Sequence, residues 1–328
     1  MRAIVLEKQG GPDVLATVTD LPIPEPKPGQ VQVKVAYAAM YPMDALVRAG
    51  AFRFHPPLPF ILGNSYSGRI TKVGEGVDAA RVGQRVTVNG QWGGYADFTT
   101  VGAEAAAPMR DGFSWQFGTV AVGPTASAWQ LLNTVAKAQP GNVIVVHAAA
   151  GAVGLMLVQI GKEMGCKVIG LVGSADKIVW AGQHADAHLW LDYRADKEWP
   201  KKVKEFTAGR GADFIFDGNQ GPDTPNNFEA LAQLGQVVFI GAMAGPAPEV
   251  KIPQLIVGSF GIRGFQVPHG MALTKGAEFK EIIPKLESGA WKFPIATPAP
   301  LEQVAELHRA HEARTILGRG IISVGGEI

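Results

Sequence analysis

The sequence predicts an α/β protein in which a doubly wound parallel sheet is joined to a β-rich domain. Three observations predict it. Val143–Gly173 changes from a strand pattern to a helix pattern across a glycine pair and then back to strand. From there to Gln266, apolar strand runs alternate with helical patterns, as in a parallel sheet with crossover helices. The first third instead holds only short strand runs with turn residues between them.

In chain order, that first third gives strands at Met1–Leu6, Val31–Ala39, Gly68–Val73, Gln84–Asn89 and Tyr95–Val101. Val31-Gln32-Val33-Lys34-Val35 alternates with the period of a half-buried strand. Pro22, Pro24, Pro26 and Pro28 keep the segment before it extended on the surface. The middle third opens with the β-branched run Val143–Val146, followed by His147-Ala148-Ala149-Ala150-Gly151-Ala152-Val153-Gly154. Val153, Leu157, Ile160 and Met164 then recur at helical spacing until Gly165. Lys167–Val172, Leu189–Tyr193, Ala212–Asp217, Gln236–Ile240 and Phe260–Gln266 supply further strands, with helical patterns at Pro200–Ala208 and Asn226–Leu234. From Pro268 the tail offers amphipathic helices at Glu278–Glu287 and Leu301–Ala313 and a last strand at Gly320–Val324. It is expected to return to the β-rich part. The expected division is residues 1–123 with 268–328 as a substrate and catalytic domain, residues 124–267 as a nucleotide-binding domain, and a cleft between them.

Composition narrows the function classes. A length of 328 residues with 47% hydrophobic content suits two domains with substantial cores, and a net charge of +1 offers no surface for a polyanion, so nucleic acid is not an expected partner. One cysteine, Cys166, leaves no intrachain disulfide and no cysteine cluster for a metal. The N-terminal apolar run is too short for a signal peptide, and glycines break the most membrane-like stretch, Val143–Ile160. No membrane partner is expected, and the expected location is cytoplasmic.

The strand, glycine turn and helix are the parts of a pyrophosphate cradle: Gly151 and Gly154 would let backbone N–H groups and the helix N-terminus approach phosphate oxygens. Ala149 stands at the place of the first glycine of G-x-G-x-x-G, so only the motif's last half is present, and a plain turn would read the same way. About 20 residues past the motif, where an acidic residue would bind the 2′-hydroxyl of NAD, stands Gly173, followed by Ser174, Ala175, Asp176 and Lys177. Removing the acid and adding a hydroxyl and a cation favours a 2′-phosphate, hence NADPH over NADH. Asp176 works against that preference, and Lys177 also reads as an ordinary solvated helix lysine.

At this point the residues carry a family likeness. Gly10-Gly11-Pro12 with Val14-Leu15, Tyr41-Pro42-Met43-Asp44 before Arg48-Ala49-Gly50, Pro59-Phe60-Ile61-Leu62-Gly63-Asn64, Val73-Gly74-Glu75-Gly76-Val77, Gly83-Gln84-Arg85-Val86, His147–Gly154, and Gly318 before the last strand resemble the medium-chain dehydrogenase/reductase superfamily. More closely, the chain resembles its zinc-free quinone oxidoreductase branch, which includes the ζ-crystallins. The resemblance covers essentially the whole length and implies a Rossmann domain beside a GroES-like catalytic domain. Zinc members have a cysteine where Tyr41 stands and a His-Glu pair where Asn64-Ser65 stands, so no metal is expected here and the seven histidines read as surface or packing residues.

The resemblance also implies site residues. Ala150, Gly151, Val153 and Gly154 would cradle the pyrophosphate. Gly173, Ser174, Lys177 and Tyr193 match positions at the 2′-phosphate of NADPH-dependent relatives. Ser127 matches a threonine facing the nicotinamide, Phe239-Ile240-Gly241 and Gly264-Phe265-Gln266 match strand ends lining the cofactor, and Arg314 matches an arginine near the adenosine. Tyr193 also reads as a partly buried strand tyrosine, and Ser127 as a helix-start residue. Tyr41 replaces the branch's usual asparagine, while Leu46 and Phe52 stand where further tyrosines are usual, which makes the substrate wall more apolar. The catalytic candidates are therefore Tyr41 and Asn64, hydrogen-bond donors to the oxygen that gains charge, with Asp44 a structural group; Tyr41 packing beside Pro42 is the alternative. The expected activity is zinc-independent, NADPH-dependent reduction of a quinone or other conjugated carbonyl. Reduction of the double bond of enones, enals or enoyl thioesters is the enzymatic alternative, and a non-catalytic, crystallin-like NADPH-binding protein the other. The resemblance further implies a homodimer paired at the edge of the parallel sheet, with Ile252–Phe260 as its apolar cover.

Overall fold

The computed structural model describes residues 1–241 and 249–328. The chain divides into two compact units, residues 1–122 with 294–328 and residues 123–293.

In the first unit, β1 (Ala3–Leu6) lies between β2 (Leu15–Val18) and β4 (Phe60–Ile61) in a small antiparallel sheet around which Val5 and Ala96 are buried. The main sheet is built on β3 (Gln30–Ala39). It pairs antiparallel with β5 (Ser65–Val73), which in turn pairs with β6 (Arg85–Asn89), and with β7 (Phe98–Gly102); β8 (Ala106–Pro108) completes that edge. The half-buried reading of β3 does not hold: nine residues, Val31 through Ala39, include only one exposed side chain, Lys34. The polar side is covered because the proline-rich segment lies back over it, where Gln32 donates to the Pro24 carbonyl at 2.7 Å. Helix Pro42–Ala49 starts where β3 ends, with proline in its first turn and Gly50, at φ 71°, closing it.

The second unit carries six parallel strands: β9 (Val143–Val146), β10 (Lys167–Val172), β11 (Leu189–Asp192), β12 (Ala212–Asp217), β13 (Leu231–Phe239) and β14 (Gly261–Gly264), in the order β11-β10-β9-β12-β13-β14. Val143–Val146 has no exposed residue, as a strand covered on both faces by crossover helices requires. Strand order reverses between β9 and β12, so the crevice outside their C-terminal ends is the topological switch point where ligands bind in such sheets. Helices Ala152–Glu163, Ala175–His184 and Trp199–Phe206 supply crossovers.

Several element ends shift by a few residues from the sequence reading, and two boundaries move farther. The helical pattern Asn226–Leu234 ends at Ala230, because the chain enters β13 at Leu231, loops out and returns to the ladder at Gln236; Leu234 sits there in the left-handed region at φ 63° with its side chain in solvent. The second unit also extends past 267 to Phe293. Helices Val267–Thr274 and Phe279–Glu287 stay with it through a buried network in which the Gln130 amide donates to Glu278 at 2.9 Å and to Thr274 at 3.0 Å. Glu163, on the helix after β9, accepts from the Trp291 indole at 2.7 Å and from Lys285. Only from Pro294 does the tail rejoin the first unit, where β15 (Ala299–Pro300) and β16 (Ile321–Ser323) extend the main sheet beside β3. No described helix is long and apolar enough to cross a membrane.

Candidate active site and nucleotide cradle

At the switch point the turn after β9 is built from backbone. Ala148 takes a left-handed conformation, φ 50°, which turns its carbonyl to accept the Gly151 N–H at 2.7 Å. A Cβ on Gly154 would lie 2.3 Å from that carbonyl oxygen and 2.7 Å from the Ala149 Cα, whereas one on Gly151 would come only to 3.1 Å. Gly154 is therefore demanded by helix packing against the turn, whereas Gly151 caps the helix with the Ala148 carbonyl oxygen as its one close neighbour. The N–H groups of Ala152, Val153 and Gly154 have no acceptor within their helix, and Ala150 enters the turn beside them. That first turn therefore offers the donors that an anion cradle requires.

Behind the turn, the His147 N–H donates to the Phe216 carbonyl of β12 at 2.9 Å. The buried His147 ring places Nε2 2.7 Å from Asn227 Oδ1, and the Asn227 amide donates to Asp217 Oδ2 at 2.8 Å. Asn227 Oδ1 can only accept, so Nε2 carries the proton. Asp217 Oδ1 takes the N–H groups of Asn219 and Gln220, which locks the ends of β9 and β12 together. A cavity of about 40 Å³ lies here, lined by His147, Tyr193, Asp217 and Thr224. A larger open groove, about 550 Å³, lies at the other end of the sheet around Asn142, Lys167 and Arg210, so size does not locate the cradle.

The end of β10 holds the second cluster. A Cβ on Gly173 would lie 3.2 Å from Arg194 Nε and 3.5 Å from the Tyr193 hydroxyl, so glycine leaves room beneath a guanidinium and a phenol. Ser174 caps helix Ala175–His184, its oxygen accepting the Lys177 N–H at 3.4 Å, which puts Lys177 in the first turn beside that cluster. Arg194 is the residue that sequence reasoning missed. It is exposed and makes no ion pair with a described residue. Only its adjacency to Tyr193 shows in the sequence; its place over Gly173 comes from the pairing of β10 with β11.

Phe239-Ile240-Gly241 and Gly264-Phe265-Gln266 are brought together at the ends of β13 and β14: Phe239 and Gly264 are register partners, and the Phe265 N–H donates to the Phe239 carbonyl at 3.1 Å. Ile240 is tied by its N–H to the Asp217 carbonyl at 3.0 Å. Ser127 is not at a helix start. It lies inside helix Val122–Gln130 with its hydroxyl donating to the Gly123 carbonyl at 2.9 Å. Arg314 belongs to the first unit, in the left-handed region just after helix Val304–Glu312.

In the first unit one carboxyl brings the two catalytic candidates together. Asp44, fully buried, accepts the Tyr41 N–H at 2.7 Å and the Gly63 N–H at 3.0 Å, and the Asn64 backbone donates to it as well. Burial pushes its carboxyl up from 3.8 to about 6, against those donors and the charge of Arg319. Asn64 is itself 8% exposed. The Tyr41 ring lies under Arg319, whose guanidinium carbon is 3.7 Å from the ring centroid. Farther in, Arg48 binds the Gly10 carbonyl, His308 and Glu312, and burial next to guanidinium groups lowers His308 to about 3 and His311 to about 4.

Residues 152–288 match the family model of a zinc-binding dehydrogenase, and residues 27–132 match an alcohol dehydrogenase GroES-like domain. Over 313 residues, 94% of this chain and 92% of the relative, the chain is 31% identical to the quinone oxidoreductase of Lama guanicoe. It belongs to the quinone oxidoreductase branch of the medium-chain dehydrogenase/reductases. Similar solved structures are a mycobacterial protein complexed with NADPH (TM-score 0.89, 30% identity, 99% of this chain and 100% of that one) and the Escherichia coli quinone oxidoreductase complexed with NADPH (0.89, 26%, 99% and 100%). An NAD-dependent alcohol dehydrogenase also matches (0.88, 28%, 99% and 100%).

The superfamily's zinc does not fit the residues of this quinone oxidoreductase relative. At the positions of the zinc ligands stand Tyr41, under a guanidinium, and Asn64 and Ser65; the Ser65 hydroxyl is engaged by Asn89 Oδ1 at 2.7 Å and the Thr119 carbonyl at 2.9 Å. A divalent cation there would face the Arg319 charge with no anionic or imidazole ligand on those positions. Among the described residues no group of three or more His, Cys, Asp or Glu could hold a metal.

The buried titratable groups make a signed pH prediction. Asp44, raised, contributes stability in acid that is lost as pH rises from about 4 through about 6, while His308 and His311, lowered, contribute stability above 6.5 that is lost as they charge on acidification. The two histidines outweigh the one carboxyl, so the melting temperature should fall between pH 6.5 and 4. Asp44→Asn removes the opposing gain and should steepen that fall by up to about 1.4 kcal/mol per pH unit. Parallel melting curves for parent and variant would refute the assignment.

Proposed function

We propose that the chain is an NADPH-dependent quinone oxidoreductase acting by zinc-independent hydride transfer to a conjugated carbonyl. The observation that carries this reading is the end of β10, where Gly173 leaves space under Arg194 Nε and the Tyr193 hydroxyl in place of an acid. NADPH- and NAD-dependent neighbours share the fold, so the cofactor choice rests on such residues. Arg194, Lys177 and the Tyr193 hydroxyl would meet a 2′-phosphate with charge-assisted hydrogen bonds. The N–H groups of Ala152, Val153 and Gly154 would take the pyrophosphate.

When bound, NADPH supplies a hydride. The protein's part is to hold its acceptor and to donate hydrogen bonds to the oxygen that gains charge. Tyr41 Oη and Asn64 Nδ2 are the donors, held by the shared carboxyl of Asp44. Leu46 and the core-packed Phe52 would give the acceptor an apolar wall. The phenol of Tyr41 also favours a second reading, double-bond reduction in enones or enals, since it could deliver a proton after hydride addition. Turnover of any acceptor excludes the crystallin-like, non-catalytic reading. The proposed location is cytoplasmic, supported by a buried free cysteine.

The proposed assembly is a homodimer. β14 ends the parallel sheet, and Ile252, Ile256 and Val257 on helix Ile252–Gly258 are 63%, 71% and 87% exposed, with Ile262 of the edge strand also in solvent. Apolar cover at an open strand edge is what edge-to-edge pairing of two copies would bury. Light scattering at micromolar concentration should give the mass of two chains, and Val257→Asp should give one; a monomeric parent contradicts the proposal.

For the cofactor, calorimetry should show NADPH binding tighter than NADH by roughly 1.5–3 kcal/mol, with Arg194→Ala and Lys177→Ala each removing part of that difference and leaving NADH unchanged. Equal affinities would sink the assignment. For the reaction, NADPH oxidation should be followed across quinones, enones and enals with product analysis, quinones being the expected best acceptors. On that best acceptor Tyr41→Phe should cost about 10²-fold in kcat while NADPH affinity stays put. A parent-like rate would leave Tyr41 a packing residue.

A further inference from the structure

Tyr41 and Arg319 are placed opposite each other by the sheet itself. In the antiparallel pairing of β3 with β16, Ile321 faces Ala39 and Ile322 faces Ala38. The pairing runs on past the ladder, because the Met40 N–H donates to the Gly320 carbonyl at 3.2 Å. One step farther in the same register sets Arg319 against Tyr41, and there the guanidinium carbon is 3.7 Å from the ring centroid. The arginine backbone is held on both sides: its N–H donates to the Pro294 carbonyl at 3.2 Å, and its carbonyl accepts from Ala296 at 3.0 Å. Gly318 before it sits at φ 82°, where a Cβ would lie 3.1 Å from the Pro294 oxygen, so the turn presenting Arg319 calls for glycine. Arg319 Nε and Nη2 are buried without a hydrogen-bond partner among the described residues, an arrangement that costs stability and that no ion pair among those residues explains.

We propose that Arg319 is the positioning residue for Tyr41: its planar guanidinium lies on one face of the phenol ring, restricts the ring to one rotamer and so presents the hydroxyl to the oxygen of the acceptor. The inference rests on the reading of Tyr41 as a donor. Asp44 fixes the Tyr41 backbone and Arg319 fixes its ring, so the hydroxyl is held at both ends of the residue. A planar fork is what the contact uses, and the compact ammonium of lysine would keep the charge without the stack.

The test separates the clamp from the donor. With all five tyrosines replaced by 3-fluorotyrosine, the fluorine resonance of Tyr41 is assigned by its loss in Tyr41→Phe. In Arg319→Lys and Arg319→Leu that resonance should shift and narrow as the ring gains freedom, with Tyr37, Tyr66 and Tyr193 unmoved, whereas Tyr95, which also feels the Arg319 charge, can shift. On the best acceptor, Arg319→Lys should lower kcat about tenfold with NADPH affinity unchanged. In the Tyr41→Phe background the same change should alter kcat by less than about twofold. An unmoved Tyr41 resonance overturns the proposal, and so does an equal loss in both backgrounds, since Arg319 would then act without the hydroxyl. If Tyr41→Phe is slow while Arg319→Lys is silent, the donor reading stands and the clamp falls; if Tyr41→Phe turns over like the parent, the donor reading falls and takes the positioning role with it.

Discussion

Within the first unit the candidate catalytic surface hangs from one buried carboxyl. Asp44 sits in the first turn of helix Pro42–Ala49, yet its oxygens take N–H groups from the end of β3 and from the Gly63-Asn64 turn, segments about 20 residues apart. A carboxylate out of water is costly unless several donors and a nearby positive charge offset the lost hydration. Here three backbone donors and the field of Arg319 do so only in part, which is why the carboxyl remains raised. The Gly63 turn leaves no alternative geometry, since a Cβ there would lie 2.7 Å from the Tyr95 nitrogen. Tyr41 and Asn64 therefore keep a fixed relation that neither side chain makes by itself.

The second unit solves a similar problem with backbone alone. A parallel sheet that reverses its strand order must leave a crevice between the two central strands, and only groups at the strand ends can line it. His147, Asn227 and Asp217 close the base of that crevice with a satisfied polar chain, and the glycine pair keeps side chains out of its mouth. The division of labour between the two glycines is steric. Gly154 lets the helix pack against the turn, and Gly151 leaves the helix end open, so one could be exchanged for alanine with far less disturbance than the other.

Much of this was legible in the sequence because the parallel sheet is written in local patterns. Val143–Val146, Lys167–Val172 and Ala212–Asp217 run between the residues at which the sequence places them, since buried parallel strands are continuous apolar runs with polar or glycine ends. What failed was decided by tertiary partners. Leu234 fits a helical stripe, yet a left-handed turn places it in solvent. Residues 268–293 look like the start of a returning tail, but Gln130, Glu163 and Gln159 hold them to the second unit across more than a hundred residues. Gly173, Lys177 and Tyr193 were readable as a cluster, while Arg194 was not, because its place over Gly173 follows from strand pairing and not from spacing along the chain. Arg319 was hidden for the same reason: only the register of β3 with β16 shows that position 319 faces position 41.

The distribution of unsatisfied groups adds a constraint that neither motif nor register carries. Among the described residues, buried polar side-chain atoms with no protein partner include Tyr66 Oη, Tyr95 Oη, His308 Nε2, His311 Nε2 and two nitrogens of Arg319, all in the first unit, against Thr224 Oγ1 alone in the second. Each such group costs about 1–3 kcal/mol relative to a partnered one, and apolar replacements of similar shape would pack without that cost. A unit built for stability alone would not keep two histidines neutral beside Arg48 and Arg319. Local rules break where a fold is under a second demand, and here they break around the helix that begins at Tyr41 and the turn that presents Arg319. The proposed pyrophosphate cradle, by contrast, uses backbone donors and empty space, so it buries no unmatched charge. The unmatched polar groups of this protein are concentrated around Tyr41 and Arg319, on the side of the chain proposed to choose and polarise the acceptor.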